Sequence, residues 1–317
     1  MRVALGADLG GTKMAVGAVD AEQRMLHRST GTSFGRGLDE LLDGLEEELR
    51  AALAEAPAAE AVGLGIPCTI HRERGVAVNA VNLPIVDVPM RELIGDRLDL
   101  PTFLDNDANV AALAEHRFGA ARGAQNAVML TIGTGIGGGL VLGGELYRGS
   151  TGAAAELGHI VIDQAGPPCQ GSCPNRGCVE AFASGTAIGR EGRLAAEAHP
   201  ESALGRRLGA GSEIDGRAVT QAALAGDGIA VEVLATAGRR LGVALASIAN
   251  VFEPDVIVIG GGAAAAGELL LAAAREELRS RALPPQSSTP VVPAELGPDA
   301  GLIGAATMAL EECAARS

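Results

Sequence analysis

The chain has 317 residues, 47% of them hydrophobic and 20% charged, and its formal net charge is −14. This is a normal globular balance with enough residues for two domains, and it excludes wholesale disorder. The acidic charge, uninterrupted by a basic cluster, argues against nucleic acid or an anionic membrane as a partner. The sequence lacks a signal-peptide pattern and a run of about 18 apolar residues, so we expect a cytoplasmic protein, in which disulfides are rare.

Short apolar runs alternate with amphipathic segments along the chain, which predicts an α/β fold. We predict strands at 2–8, 14–20, 61–67, 255–262 and 289–296, a strand running into a helix at 101–109, and helices at 38–54, 228–252 and from about 301. Two segments, 2–20 and 126–147, share one plan of strand, glycine-rich turn and second strand. Two such halves with their glycine turns facing one cleft suggest a nucleotide held between domains.

The two glycine-rich turns, DLGGTK (8–13) and TIGTGIGGG (131–139), have the composition of phosphate-binding loops. Glycine lets backbone N–H groups approach phosphate oxygens, and the threonine hydroxyl adds a donor. The second turn contains G-x-G-x-x-G, but a strand-like segment follows it, which excludes a dinucleotide fingerprint, and neither turn fits a Walker loop. A tight hairpin is the alternative for each turn, although a third glycine run at 260–262 weakens it. Lys13, the one lysine among 25 basic residues, is either part of such a loop or a surface residue that closes the hairpin.

Carboxylates at two places have the chemistry for catalysis or substrate binding. LDNDAN (104–109) packs two Asp and two Asn where a strand meets a helix, and an Asp there can accept a proton from a substrate hydroxyl. Capping of the helix by Asn106 or Asp107 is the simpler alternative. Glu156 and His159 are three residues apart and could converge on one site, although a surface pair would have the same spacing.

Three of the five cysteines lie within CQGSCPNRGC. His159, Cys169, Cys173 and Cys178 together supply one imidazole and three thiolates, a common structural zinc set, and these soft ligands favour zinc over magnesium or calcium. Four protein ligands leave no open position, so we expect the metal to be structural. A redox pair and a chance cluster are the rival interpretations. Cys68 and Cys313 stand alone and are better interpreted as small buried hydrophobic residues.

Taken in series, the motifs resemble those of the ROK family of bacterial sugar kinases and repressors, most closely its glucokinase branch. The motifs that carry the resemblance, in the family's order, are DLGGTK, LDNDANVAALAE, TIGTGIGGG, ELGHIVI, CQGSCPNRGCVE and DVIVIGGG. The resemblance covers nearly the whole chain and implies the actin-like ATPase (ribonuclease H-like) fold, with two α/β domains around a nucleotide cleft, and a homodimer or homotetramer. We place a small domain at 1–117, with the terminal helix 303–317 packing back on it, and a large domain at 118–302 that carries the zinc loop.

The resemblance also implies roles for individual residues. Asp107 would be the general base, and the sugar ligands would be Asn82, Asn106, Asp107, Glu156, His159 and Glu180. ATP would lie against Asp8, Gly10, Gly11, Thr12, Lys13, Gly133, Thr134, Gly135, Gly137, Gly260, Gly261 and Gly262. Mg²⁺ would accompany ATP near Asp8 and Asp107. His159 would bind structural Zn²⁺ through one ring nitrogen while its other side faces the sugar.

Three departures from the family pattern bear on the site. The family commonly has Cys-x-Cys, whereas Cys169 and Cys173 are four residues apart, which indicates a two-residue insertion with all four zinc ligands kept. Cys68 stands where a glycine is usual beside the sugar, and NLPIVDVP lacks the Gly-Trp pair that often follows NLP. The last two changes leave the preferred sugar open.

The implied function is ATP-dependent phosphorylation of a hexose at its 6-hydroxyl, with glucose as the first candidate. Fructokinase, mannokinase and N-acetylhexosamine kinase are alternatives, and a polyphosphate-dependent kinase is disfavoured because the acidic chain has no basic track. A sugar-responsive repressor is the alternative from another class. Family repressors carry an extra N-terminal helix-turn-helix domain, which we do not expect here because the phosphate segment begins at residue 8 and the net charge is unsuited to DNA. A sugar-binding regulator without catalysis is disfavoured by the intact Asp107 and both glycine turns.

Overall fold

The described residues, 2–33, 35, 37–80 and 82–316, form a mixed α/β structure in this computed structural model. The strands are β1 (Val3–Leu9), β2 (Lys13–Asp20), β3 (Met25–Thr32), β4 (Ala59–Ile66), β5 (Cys68–His71), β6 (Val76–Ala80), β7 (Val86–Val88), β8 (Thr102–Asn106), β9 (Ala127–Ile132), β10 (Ile136–Leu142), β11 (Glu145–Tyr147), β12 (Val256–Gly260) and β13 (Val291–Pro293). The helices are α1 (Leu38–Glu55), α2 (Met90–Leu98), α3 (Asp107–Phe118), α4 (Glu180–Ala183), α5 (Gly185–Ala198), α6 (Ala203–Gly209), α7 (Gly216–Leu224), α8 (Gly228–Phe252), α9 (Glu268–Arg281) and α10 (Ala300–Arg316). Residue 317, the last of the predicted terminal helix, lies outside the described residues.

Two five-stranded sheets have the same strand order. One runs β3-β2-β1-β4-β8 and the other β11-β10-β9-β12-β13. In the first sheet β1 and β2 form an antiparallel hairpin, and β4 and β8 run parallel to β1. In the second sheet β9 and β10 form the antiparallel hairpin, and β12 and β13 run parallel to β9. The predicted common plan of 2–20 and 126–147 is therefore confirmed. The strands β5, β6 and β7 form a small separate sheet.

Helix α10 follows the second sheet in sequence but packs on the first. It contacts β1, β4 and α3, and every residue from Ala300 to Leu310 is buried. The chain thus crosses between the two halves twice, once after α3 and once before α10. The buried carboxylate of Glu115 contacts both connecting segments. It accepts a hydrogen bond from Ala120 N at 2.8 Å, just after α3, and one from Leu296 N at 2.8 Å, just before α10. This one carboxylate therefore binds backbone N–H groups of both connections.

The predicted elements differ from the observed ones at a few places. The strand predicted at 289–296 shortens to β13, which begins after Pro290, a residue without an N–H group for the ladder. A short 3₁₀ turn at Gly262–Ala266 separates β12 from α9, which begins at Glu268. Among the described residues no single helix has both the length and the hydropathy to cross a membrane, and α7 and α8 meet that criterion only as a pair bent by 120°.

Candidate active site

Two acidic residues meet at the carboxyl ends of parallel strands in the first sheet. The register places Asp8 of β1 opposite Gly65 of β4, and Gly65 opposite Asp105 of β8. A methyl group at Gly65 would lie 3.7 Å from Asp8 Oδ1 and 3.6 Å from the Cα of Asp107, which begins α3 immediately after β8. The fold therefore brings together Asp8 and Asp107, which are 99 positions apart in the sequence, at one edge of this sheet.

Asn106 is the N-cap of α3, as one of the two alternatives predicted. Its Oδ1 accepts hydrogen bonds from Ala108 N at 2.9 Å and Asn109 N at 3.3 Å, and its Nδ2 donates to the Cys68 carbonyl at 3.4 Å. Capping fixes the first turn of α3 and hence the position of Asp107. The capping and cavity-lining roles are compatible, because Asn106 also lines the cavity described below.

Burial changes the acidity of both carboxyl groups. It raises the pKa of Asp107 to about 6; hydrogen bonding from Ala108 N opposes the rise, and the carboxylate of Glu156 adds to it. Burial also raises the pKa of Asp8 to about 7, and repulsion from Asp107 contributes. A carboxyl group with such a pKa is a better proton acceptor at neutral pH than an ordinary aspartate.

The opposite wall of the cleft comes from the second half of the chain. Glu180, the first residue of α4, is buried, and its Oε2 accepts a hydrogen bond from Ile136 N at 2.7 Å. Glu156 and His159 lie at the two ends of a single turn, with Glu156 Oε2 3.9 Å from His159 Nε2. The three residues, far apart in the sequence from Asp107, thus face the same cleft.

A cavity of about 1050 Å³ separates these walls. All six predicted sugar ligands line it: Asn82, Asn106, Asp107, Glu156, His159 and Glu180. So do most of the predicted phosphate residues: Gly10, Gly11, Thr12, Gly133, Thr134, Gly135, Gly137 and Gly261. The structure also places Cys68 on its wall, as the resemblance implied, together with Thr69, Asn79 and Ser172, which were not assigned to a substrate site from sequence. Burial raises the pKa of the Cys68 thiol to about 12, with the charge of Asp107 adding to the effect, so Cys68 presents a neutral thiol to the cavity.

A second cavity of about 930 Å³ lies on the other side of the β9–β10 turn. Gly133 and Thr134 line both cavities, and Gly262 lines the second one. Its remaining wall comes from α5, α7 and the turn after β12. A ligand with a nucleoside at one end and a phosphate chain at the other could occupy the second cavity and reach the first across this turn.

Three of the predicted nucleotide residues lie outside the described walls of both cavities. Lys13 is exposed at the first position of β2, Gly260 is buried at the end of β12, and Asp8 is half-buried next to the last residue of β1. Gly260 positions the turn that carries Gly261 and Gly262. The predicted role of Lys13 stays a prediction, and the structure gives it the surface position that was its alternative.

The cysteine loop gathers one set of metal-binding donors. One ligand atom from each of His159, Cys169, Cys173 and Cys178 lies within 4.8 Å of the other three. His159 Nδ1 is 3.5 Å from Cys169 Sγ, and Cys173 Sγ is 3.9 Å from Cys178 Sγ. Zinc–sulfur bonds of about 2.3 Å and a zinc–nitrogen bond of about 2.0 Å give a tetrahedron with edges of roughly 3.5 to 3.8 Å, so the donor set and its spacing fit Zn²⁺. Since Nδ1 faces the thiols, Nε2 is the ring nitrogen on the side of Glu156.

The same loop is tied to the second phosphate turn. The side-chain amide of Gln170 donates to the Thr134 carbonyl at 3.3 Å and to Ser184 Oγ at 2.9 Å, and the hydroxyl of Thr186 donates to the same carbonyl at 2.9 Å. Ser184 is the N-cap of α5. A disturbance of the cysteine loop would therefore reach the turn at Thr134 as well as the wall at His159.

With this geometry established, comparison with known proteins identifies the family. Residues 4–312 match the model of the ROK family. The chain belongs to the ROK family. It is 36% identical to a glucokinase of Thermotoga maritima over 97% of both chains, and 35% identical to a glucokinase of Streptomyces coelicolor over 98% of both. A solved structure of a ROK family glucokinase from Streptomyces griseus, in complex with glucose and AMPPNP, superposes with a TM-score of 0.85 at 36% identity, over 98% of this chain and 99% of that one. The predicted fold class, two α/β halves of the actin-like ATPase type, is thereby confirmed.

Proposed function

We propose that this ROK protein transfers the γ-phosphoryl group of ATP to the 6-hydroxyl of glucose. The observation that carries the proposal is the placement of Asp107, with its raised pKa, in a cavity that shares the Gly133–Thr134 turn with a second, nucleoside-sized cavity. One cavity accommodates the acceptor and the other the donor. The glucokinase relatives, which match nearly the full chain, support glucose as the acceptor.

Asp107 is the group that takes the proton from the attacking hydroxyl. Its carboxylate stands at the start of α3, where the helix N-terminus and the Ala108 N–H, at 2.9 Å from Oδ1, orient it. Asn82, Asn106, Glu156, His159 and Glu180 would hold the other sugar hydroxyls, so the 6-hydroxyl is the one presented to Asp107. The backbone N–H groups of the turns at Gly10–Thr12 and Gly133–Gly135 would bind phosphate oxygens. Phosphoryl transfer needs little covalent chemistry from the protein, and such positioning supplies most of the catalysis.

Mg²⁺ fits the first half of the site. Burial and the Asp107 carboxylate raise the pKa of Asp8, because both disfavour a negative charge on its carboxyl group. A cation beside Asp8 would stabilise that charge. Carboxylate and phosphate oxygens are the ligands that Mg²⁺ prefers. We propose that Asp8, through water, and the phosphates of ATP hold the ion, which when bound would neutralise charge on the transferred group.

Zn²⁺ would have a structural role in this proposal. Four protein donors leave no position for substrate, and Glu156, His159 and Glu180 all belong to segments next to the cysteine loop. The metal would hold this wall of the sugar cavity in shape. A homodimer or homotetramer stays an expectation from the resemblance.

A coupled assay with ATP, Mg²⁺ and a panel of sugars tests the proposal. We expect glucose to give the highest kcat/KM among glucose, mannose, fructose and the N-acetylated hexosamines, with glucose 6-phosphate as the product. Formation of no glucose 6-phosphate would overturn glucokinase activity, and a clear preference for another hexose would reassign the acceptor.

The pH profile of kcat/KM should report the carboxyl group of Asp107. The base acts only as the carboxylate, and burial raises its pKa to about 6, so activity is present above this pH and is lost as the pH falls through it. Replacement of Glu156 by Gln removes a charge that raises this pKa, so the acid limb should move to lower pH even though KM for glucose rises. A profile that is flat down to about pH 5 would contradict the assignment, since an ordinary aspartate titrates near 3.9.

A further inference from the structure

The loop of residues 148–155, in the second half of the chain, contacts strand β5 of the first half. Residues 148–155 follow β11 and end directly before Glu156, and Ala154 N donates to the Arg148 carbonyl at 3.1 Å, which closes the loop. Gly152 has φ +90°, and a side-chain carbon there would lie 2.5 Å from the Ile70 carbonyl of β5. Ala155, a non-glycine residue, also has a left-handed φ of +68°. Such backbone strain persists only where the surroundings fix the conformation.

This loop is bound to the first half through the buried carboxylate of Asp105, which lies two residues before Asp107. Asp105 is 1% exposed, and its Oδ2 accepts a hydrogen bond from Arg148 Nε at 2.5 Å. Its Oδ1 accepts from Asn106 N at 2.8 Å and from Asn109 Nδ2 at 2.9 Å. Arg72 lies further away, with Nε 3.9 Å from Oδ2. Asp105 therefore binds the first turn of α3 with one oxygen and the second half of the chain with the other.

We propose that Asp105 and Arg148 are a positioning pair that sets the separation of Asp107 and Glu156 across the cleft. Asp105 is two residues from Asp107 along a strand and a capped helix start, and Arg148 is eight residues from Glu156 along the closed loop. The pair thus connects, through two short segments of chain, the base of the proposed reaction with a residue of the opposite wall. This inference rests on the proposed function, because it concerns the alignment of the groups that function uses.

Replacement of Arg148 should reduce the rate of the chemical step more than substrate binding. Arg148→Met removes the guanidinium and leaves the buried carboxylate without its partner in the second half, so Asp107 and Glu156 lose their fixed separation. A misplacement of about 1 Å can cost about 10²-fold in rate, and we expect kcat to fall by about that factor. KM for ATP should stay within about twofold, because the nucleotide cavity is formed by other segments.

A double-mutant cycle separates this role from a general structural one. Asp105→Asn keeps the shape of the side chain and should lower kcat at least about tenfold, and the double variant should be about as slow as the slower single variant. Arg148→Lys keeps the charge without the planar fork and should restore part of the rate, which also covers the case that Arg148→Met fails to fold. Arg117→Met is the control for loss of an arginine of similar exposure (27% against 22%), because Arg117 Nε binds the exposed Glu311 at 2.7 Å and Arg117 lines neither described cavity, so its kcat should stay within about twofold of wild type.

The outcomes distinguish the inference from the proposed function. A wild-type enzyme that phosphorylates no hexose overturns the proposed function and this inference with it. An active wild type whose Arg148 and Asp105 variants keep kcat, or whose losses multiply in the double variant, overturns the inference alone. A variant that loses thermal stability but not kcat would show that the pair only stabilises the fold.

Discussion

Replacement of Asp107 by Ala should lower kcat for glucose phosphorylation by about 10³-fold, within the range that removal of a general base usually costs. Among the described residues, Glu156 and Glu180 lie on the opposite wall and Asp8 does not line the sugar cavity, so none of these carboxylates is placed to take over the proton transfer. The metal content of the cysteine loop should not change, because Asp107 belongs to α3 and the four metal donors lie between His159 and Cys178. Steady-state kinetics and elemental analysis of the same preparation test both expectations.

Asp107→Asn provides a second variant with the same shape, and its kcat should be nearly as low as that of the Ala variant. Asp227→Asn is a matched control, because Asp227 is also an aspartate at a helix start, accepting hydrogen bonds from Ile229 N and Ala230 N, but it lies far from the cleft residues in sequence and lines neither described cavity. That control should keep kcat within about twofold. If Asp107→Ala retained more than about a tenth of the wild-type kcat, the proton would have another acceptor and the assigned base would be wrong.

The elements with a strong local pattern could be predicted from the sequence. The helix expected at 228–252 occurs as α8 (Gly228–Phe252), the strands on both sides of the first glycine turn form within one residue of the predicted positions, and the segment 126–147 forms the predicted strand, turn and strand. Their apolar periodicity is regular because each element buries one continuous face. The edge strand β3 was missed because its residues alternate between partly buried and exposed, with His27, Arg28 and Ser29 at its centre. A half-covered edge strand of polar residues has no hydrophobic signal to detect.

The candidate site was predictable only in part. Residue chemistry and spacing identified the glycine turns, the acidic strand end and the zinc set, but the convergence of Asp107, Glu156 and Glu180 came from the resemblance to the family. The pairing of Asp105 with Arg148 could not be found from the sequence, since the two residues are 43 positions apart and each is an ordinary charged residue in its local context. Cys68 was expected to be buried, and it is, and its place on the cavity wall was implied only by the resemblance, whereas Thr69 and Asn79 on the same wall were not predicted. Such contacts are set by tertiary structure and leave no local signature.

Loss of a cysteine ligand should reduce both metal content and activity. Cys178 is fully buried, and Cys178→Ser replaces a thiolate with a weak ligand, so bound zinc should fall from about one per chain to a small fraction. Without the metal, the wall at His159 and the Gln170 contact to Thr134 lose their support, so kcat/KM for glucose should fall at least about tenfold and thermal stability should drop. Zinc analysis, kinetics and a melting curve on the same sample measure the three effects.

Cys169→Ser tests the ligand whose spacing departs from the family pattern. Cys169 Sγ lies 3.5 Å from His159 Nδ1, which is the distance expected of two ligands on one zinc ion, so we expect this variant to lose zinc as Cys178→Ser does. Cys313→Ser is the matched control, because Cys313 lies outside the cluster, and it should keep both zinc and activity. Purified wild-type protein that is fully active without zinc would contradict the structural role. A Cys169→Ser variant that binds zinc as tightly as wild type would remove Cys169 from the ligand set, and the fourth ligand would then have to come from Glu180, whose Oε1 is 3.6 Å from Cys169 Sγ, or from water.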